Sequence, residues 1–249
     1  SFKRLNKFMI TSIMQPTFLP GLSFFSLIIQ SDNFVFLDNV QFQKQSWQQR
    51  NQILINDKKS WLVVPIKKSE KKQINQIKIF NENIHIKILK TIKQNYSKTK
   101  FFDQYWESFE RIFIKSCDTR YLSVLNINII RWICEMLKID CNFSTSSSYG
   151  NNRSKIERLI SINKKLNTSI YLSPIGSYNY LSNSKSIFKK QDIDLVFNNY
   201  NEIKSVNENN RLNLSVIDLL FNYGFSSKKI ISKGIGKPYS VLEMNKINI

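Results

Sequence analysis

Thr11-Ser12-Ile13-Met14-Gln15-Pro16-Thr17-Phe18-Leu19-Pro20-Gly21-Leu22-Ser23-Phe24-Phe25-Ser26-Leu27-Ile28-Ile29-Gln30 reads as a short buried strand, a tight Pro/Gly loop and a helix. The segment that follows, Asn33-Phe34-Val35-Phe36-Leu37-Asp38, reads as a second strand. Residues 11–38 have the length, about thirty residues, of one strand-helix-strand unit, whose strands run parallel through a right-handed crossover. Parallel strands place Gln15-Pro16 and Asp38 at the same, carboxyl, end of a sheet. That rim is where open α/β sheets bind ligands.

Beyond the second strand, Gln41-Phe42-Gln43-Lys44-Gln45-Ser46-Trp47-Gln48-Gln49-Arg50-Asn51 is a polar stretch with Trp47 as its one indole, placed to hang over the rim. Residues 52–56 and 60–65 flank Asp57-Lys58-Lys59 as a hairpin. The loop after it, residues 66–72, is basic and reads first as a solvated charge run. From residue 84 to 139 the spacing turns helical in three blocks, 85–96, 102–114 and 121–137; Leu122, Leu125, Ile129, Ile133 and Met136 carry the last. No Gly/Ser/Pro linker bounds these helices, so they read as a helical insertion.

Strand-helix alternation then resumes. Strands are expected at 141–144, 169–172 and 194–197, and helices at 153–166 and 185–191. The strand at 169–172 runs into Ser173-Pro174-Ile175-Gly176-Ser177-Tyr178. Asn213 to Tyr223 is the last strong helix, with Ser215 and Asp218 at capping-box spacing and Gly224 as its stop. The expected fold is α/β, three-layer, a mostly parallel sheet with a helical insertion. Residues 9–224 make a single domain with the insertion at about 84–139, and residues 225–249 a basic, weakly patterned tail. One rim then gathers Gln15, Asp38, the 47–51 segment, residues 173–177 and the amino end of the last helix.

Composition narrows the chemistry. With 42% apolar and 13% aromatic residues in 249, the chain can bury a substantial core. No run of eighteen apolar residues is present, and residues 1–8 read as an extension and not as a secretory signal. Cys117, Cys134 and Cys141 are irregularly spaced in apolar context and read as reduced thiols of a cytoplasmic protein. The net charge of +19 attracts polyanions, yet only eight of the 37 basic residues are Arg, the residue that base and phosphate recognition leans on. A solvated basic surface or an anionic small ligand is therefore preferred over nucleic acid. The single histidine, His85, sits at the start of a helix and reads as a surface or capping residue. Neither a His/Cys metal cluster nor a glycine-rich phosphate loop is present.

Carboxylates, amides, hydroxyls and basic groups remain. Asp38 at a strand end is placed to act as a base or to orient an ammonium group, or else to terminate the strand in a turn. Asp218 is the second candidate acid, or caps its own helix. Arg50 can clamp a phosphate or carboxylate, and Trp47 can stack on a ring or pack in the core. Gln15 and Ser173 can hydrogen-bond and so position a substrate.

Several segments together resemble the WbqC-like family of bacterial proteins. They are Gln15-Pro16-Thr17-Phe18-Leu19-Pro20 followed by Phe24-Phe25 and Ile28, Asp32 to Phe42 with Leu37-Asp38-Asn39-Val40-Gln41-Phe42, and Trp47-Gln48-Gln49-Arg50-Asn51. Trp61-Leu62 with Val64-Pro65 and Lys67, Gln94-Asn95-Tyr96, Tyr171-Leu172-Ser173 with Tyr180-Leu181, and the block from Asn213 to Gly224 follow in order. The resemblance implies a cytoplasmic role in O-antigen or other surface-polysaccharide biosynthesis, with glycyl transfer to an amino sugar as the activity proposed for such proteins. This chain departs from the family in having Asp38-Asn39 for a pair of acids, Arg50-Asn51-Gln52 for Arg-Asn-Arg, and Ser173-Pro174-Ile175-Gly176 for a glycine-rich turn. If the second acid or second Arg recognises charge, this member uses a different substrate or binds one fewer phosphate.

The resulting expectation is a transferase that forms an amide between an aminoacyl or acyl group and the amine of a nucleotide-linked sugar. Asp38 and Asp218 are the candidate catalytic residues, with Asp38 accepting or orienting the amine proton. Gln15, Pro16, Gln41, Lys44, Trp47, Arg50, Asn51, Lys67, Ser173, Ser177, Asn213 and Ser215 are the candidate substrate-binding set, with Arg50 and Lys67 on phosphate. The partners are a sugar nucleotide and an acyl donor. ATP, an acyl-CoA or a carrier-bound acyl group are alternative donors, and homo-oligomerisation is left open. A non-catalytic sugar-nucleotide-binding assembly factor and a nucleic-acid-binding protein are the competing readings.

Overall fold

The computed structural model describes residues 8–67, 71–80, 83–150, 154–201 and 213–246. Residues 1–7 of the expected extension, 68–70 of the basic loop, 151–153 at the start of an expected helix and the last three residues lie outside these.

The opening stretch folds as its sequence directs. Strand β1 (Ile10–Met14) leads through a loop into helix α1 (Leu22–Ile29) and on to β2 (Asn33–Phe36), parallel to β1 with Met14 beside Phe36. A hairpin follows, β3 (Arg50–Ile55) and β4 (Lys58–Val63). Its turn is Asn56-Asp57, one residue earlier than the sequence reading places it. Both residues hold positive φ, 50° and 59°, the mirror-image turn that matches the twist of paired strands. Arg50 and Asn51 consequently belong to a strand and not to a free rim loop.

Three helices then stack as a layer, α2 (Ile84–Tyr96), α3 (Phe102–Asp118) and α4 (Leu122–Met136). Strand β5 (Asn142–Thr145), helix α5 (Lys155–Lys165), strand β6 (Ile170–Ser173), short helices α6 (Tyr178–Leu181) and α7 (Lys185–Lys189) and strand β7 (Asp194–Phe197) continue the alternation. Last come α8 (Val216–Tyr223), α9 (Ser226–Lys233), β8 (Tyr239–Ser240) and α10 (Val241–Met244). Weak as its pattern is, the segment after Gly224 adds an edge strand, since β8 pairs antiparallel with β7.

The six-stranded sheet runs β5-β2-β1-β6-β7-β8, its first five strands parallel. Side-chain alternation decides the layers. Phe34 and Phe36 of β2 face a core shared with α1 to α4, α8 and α9, while Val35 and Leu37 face a second core with α5, Leu181 of α6, Phe188 of α7 and α10. A three-layer α/β fold results. Chain order reverses direction across the sheet between β1 and β6, and the loops that leave these two strands part there.

Helix α8 starts at Ser215, whose Oγ accepts from the Ile217 N–H at 3.4 Å, while the Asp218 N–H bonds the Ser215 carbonyl. The reciprocal box expected from Ser215 and Asp218 is thus replaced by a simple cap. Gly224 ends the helix at φ 58°, where a Cβ would come within 2.7 Å of the Phe101 ring. Gly224→Ala is expected to destabilise the protein by about 2 kcal/mol or more, from left-handed strain and overpacking together. Urea denaturation checks it; an unchanged midpoint would mean that the Phe101 ring gives way freely.

All three cysteines are free thiols. Burial, the largest cause, pushes Cys117 and Cys141 up to about 12, helped by Asp118 and by Asp32 and Asp140 respectively; burial also raises Cys134. The folded state therefore holds these protons more tightly than the unfolded chain. Stability from this source is complete below the ordinary thiol range and is lost as pH climbs from about 9 towards about 12. At pH 8 the native protein should alkylate slowly and the denatured chain fully; fast native labelling of Cys117 would contradict this packing.

Candidate functional site

A cleft of about 840 Å³ opens where the chain order reverses, at the carboxyl ends of the parallel strands. Met14 and Gln15 line it from the end of β1, Leu37 and Asn39 from β2, Pro174 to Ser177 from β6 and Asn198 from β7. A second chamber of about 500 Å³ lies against the first, and Met14, Thr17, Ser23 and Trp47 line both.

The loop at 15–21 builds this region. Pro16, Thr17, Phe18, Leu19 and Pro20 are all buried, so an irregular backbone must find partners inside the protein. Asparagine side chains supply them. Asn126 of α4, fully buried, donates through Nδ2 to the Pro16 carbonyl at 3.2 Å and the Gln48 carbonyl at 2.8 Å. Asn51 of β3 donates to the Leu19 carbonyl at 2.6 Å and the Phe18 carbonyl at 3.3 Å. Phe18 N–H donates to Trp47 O, and Val216 N–H to Pro20 O. Helical layer, hairpin and α8 are thereby tied to one loop.

Gln48, 1% exposed, sets the polarity of the cleft. Its Oε1 accepts from the Gln43 backbone N–H, a group that can only donate, so its Nε2 donates to Gln15 Oε1 at 2.7 Å. Gln15 is left with its Nε2 as the donor it presents to the cleft. Ser173 and Ser177 hydroxyls lie 2.6 Å apart; Ser177 donates to the Pro174 carbonyl, and Ser173 donates to the Tyr171 hydroxyl at 3.3 Å.

Positive charge enters from helix α5 and the basic loop. Lys155 and Arg158 stand one turn apart at the amino end of α5 and line the cleft with Lys71. Lys155 Nζ sits 3.3 Å from the centre of the Tyr180 ring. Arg158 Nη1 donates to the Asn39 carbonyl at 3.2 Å, while its buried Nε has no hydrogen-bond partner. The helix dipole adds to the field at this end. No Asp, Glu, His or Cys is among the described residues that line either chamber.

The candidate residues divide accordingly. Gln15, Gln41, Trp47 and Ser177 line the larger chamber; Asn51, Asn213 and again Trp47 line the smaller. Pro16, Lys44, Arg50, Lys67, Ser173 and Ser215 line neither. Lys44 and Lys67 are exposed, and Arg50 stacks its guanidinium 4.3 Å from the Trp61 ring centre. Asp218 is buried in the first turn of α8. Asp38, 5% exposed, is engaged on both oxygens: Oδ1 accepts from Ser146 Oγ at 3.0 Å and Ser147 N at 2.9 Å, Oδ2 from Ser147 Oγ at 2.7 Å and Asn75 Nδ2 at 3.4 Å. These bonds lock the end of β2 to the turn after β5. Asn39 joins them, its Oδ1 2.6 Å from Ser146 Oγ.

Lys71, Gln48, Lys155, Arg158, Tyr180 and Trp61 are absent from the sequence-derived set. Lys155 and Arg158, three apart at the start of a helix that follows a strand, carried a readable signal, and Gln48 lay in the 47–51 segment expected at the rim; Trp61 carried none, because only the fold brings it to Trp47. Among the described residues no group of three or more His, Cys, Asp or Glu could hold a metal, and no helix is long and apolar enough to cross a membrane.

The fold is an α/β protein with a doubly wound, mostly parallel sheet, and its switch point carries a basic cleft with no carboxylate among the described lining residues. The family model described as the WbqC-like protein family matches residues 15–230, and the chain belongs to that family. It is similar to an uncharacterized protein of Mycobacterium tuberculosis (strain ATCC 25618 / H37Rv), Rv1507c, at 25% identity over 218 residues, 86% of this chain and 93% of that protein. No solved structure matches the chain significantly.

Removing the Asn126 amide strands two buried carbonyls, so Asn126→Ala is expected to lower stability by about 1–3 kcal/mol. Asp38→Ala, which unties residues 146 and 147, should cost a similar amount. Denaturant midpoints measure both; an Asp38→Ala protein as stable as the wild type would remove the carboxylate's structural role.

Proposed function

We propose that this protein is a transferase of bacterial surface-polysaccharide biosynthesis, which joins an aminoacyl or acyl group to the amine of a nucleotide-linked sugar. The observation that carries the reading is the 840 Å³ cleft at the switch point, with Lys71, Lys155 and Arg158 on its wall and no carboxylate among its described lining residues. A diphosphate meets three cations and a helix amino end there, with nothing of like charge to repel it. Family membership supports the pathway.

In the reaction the sugar amine attacks the acyl carbonyl carbon, a C–N bond forms, the bond to the leaving group breaks, and the amine proton passes to solvent or to the leaving group. Gln15 Nε2, held as a donor by the Gln48 relay, is suited to bond the carbonyl oxygen as it gains charge. Asp38 serves this chemistry as a positioning residue, because both of its oxygens are committed to the rim. The rate then comes from holding amine and carbonyl together.

A non-catalytic sugar-nucleotide-binding role in the same pathway is the second reading. The lack of an acid, His or Cys among the described lining residues favours it. Thermal stabilisation by UDP-, dTDP- and GDP-linked amino sugars tests both, since a ligand at a hundred times its dissociation constant adds about 2.7 kcal/mol. One sugar nucleotide should stabilise the protein selectively, and Arg158→Ala should weaken it at least about tenfold. Mass-spectrometric detection of the sugar amide, with acyl-CoA, carrier-bound acyl or amino acid plus ATP as donor, separates the enzyme from the binder. Stabilisation by short DNA alone, vanishing at high salt, would sink both readings in favour of the +19 surface.

A further inference from the structure

Beside the basic cleft lies a chamber of opposite character. Its described lining, Met14, Thr17, Pro20, Gly21, Ser23, Phe24, Trp47, Asn51, Gln52, Trp61 and Asn213, carries no charge of either sign. Trp47 and Trp61 supply its aromatic wall, 50% and 43% exposed with ring centres 5.3 Å apart and planes inclined at 46°. Large apolar side chains are seldom left this open in pairs unless something covers them. Arg50, stacked on Trp61, holds that ring in place before anything binds.

Two details decide what the chamber accepts. A planar base sandwiched between two rings needs about 7 Å, twice the contact distance of carbon atoms. Tilted rings 5.3 Å apart offer no such slot. A chair-shaped pyranose presents C–H groups on its faces and hydroxyls around its edge, so its faces can lie along inclined indoles while its edge meets amides. Gln52 provides one: its side chain makes no hydrogen bond among the described residues. Asn51, by contrast, spends its amide on the Phe18 and Leu19 carbonyls and on the Gln52 N–H, and so builds the wall without reading the ligand.

We infer that this uncharged chamber is the sugar subsite, a pocket for the pyranose ring, so that a nucleoside-diphosphate sugar spans both chambers with Trp47 beside the junction. The inference deepens the proposed function and rests on it for the diphosphate half alone. The sugar lies on the Trp47–Trp61 wall, the diphosphate extends towards Arg158 and Lys155, and the nucleoside occupies the larger chamber. Its amine, at the junction, comes within the part of the cleft that Gln15 also lines.

The test compares a UDP-linked N-acetylhexosamine or amino hexose with bare UDP and with the free hexosamine, by calorimetry and tryptophan fluorescence. Wild type should bind the sugar nucleotide at least tenfold more tightly than UDP. Trp61→Leu and, independently, Gln52→Ala should shrink that ratio towards one while UDP affinity stays within twofold. Circular dichroism and the unfolding midpoint establish that each variant folds, and Gln52→Ala, a smaller change at a half-buried position, guards against loss of Trp61 harming the hairpin. A preserved ratio in both variants overturns the subsite and leaves the proposed function standing. Loss of UDP affinity itself in Trp61→Leu places the base on the tryptophans and also overturns it. If no nucleotide binds but the free hexosamine changes the fluorescence in a Trp61-dependent way, the subsite stands and the proposed function falls. Binding of none of the three ligands, nor of their dTDP and GDP counterparts, overturns both.

Discussion

A buried loop without regular structure has no neighbouring strand to satisfy its carbonyls, and this protein runs such a loop, residues 15–21, through its centre. Leu19 even holds a positive φ of 43° there. Two asparagines, Asn126 from the helical layer and Asn51 from the hairpin, answer the exposed carbonyls with fixed side-chain donors. Because each donor reaches from a different element, the loop acts as the common anchor of the sheet, the three-helix layer and the hairpin. The cleft is the space this anchoring leaves open above β1 and β6.

Electrostatics divides the same way. The chain is strongly basic overall, but most of that charge is solvated and screened within roughly 10 Å. What distinguishes the cleft is the small number of cations gathered at one helix end with no carboxylate on the described wall. The acids nearest to it by sequence serve the frame. The Asp38 carboxylate accepts three hydrogen bonds that join the β2 and β5 loops and a fourth from Asn75, and its neighbour Asn39 shares Ser146 with it. Two anions side by side at this buried junction would repel, which gives the Asp-Asn pairing a structural reason independent of substrate charge.

Most of the architecture could be read directly. The apolar run Phe34-Val35-Phe36-Leu37, three- and four-residue spacing in Leu122, Leu125 and Ile129, and the Gly224 stop are local signals, and each produced the element it promised. The hairpin register slipped by one because two positive-φ residues, Asn56 and Asp57, fit a tight turn better than the lysines after them. β8 escaped notice because a two-residue edge strand has too few positions to show a period. Site residues were less legible. Gln15, Trp47 and Ser177 follow from strand ends, whereas Arg50 turned from an expected phosphate clamp into the support of Trp61.

The sequence by itself determined the strand-helix-strand opening, the three-layer α/β class, the helical insertion and the membership of the WbqC-like family. These rest on neighbouring residues in the chain, where hydrophobic periodicity and turn chemistry act. Tertiary structure alone decided which rim residues face open space, that Lys155 and Arg158 supply the charge, that Asp38 is consumed in hydrogen bonds, and that Trp47 meets Trp61 to wall a second chamber. Such facts depend on where side chains distant in sequence are brought within a few ångströms of one another, and no local pattern encodes that distance.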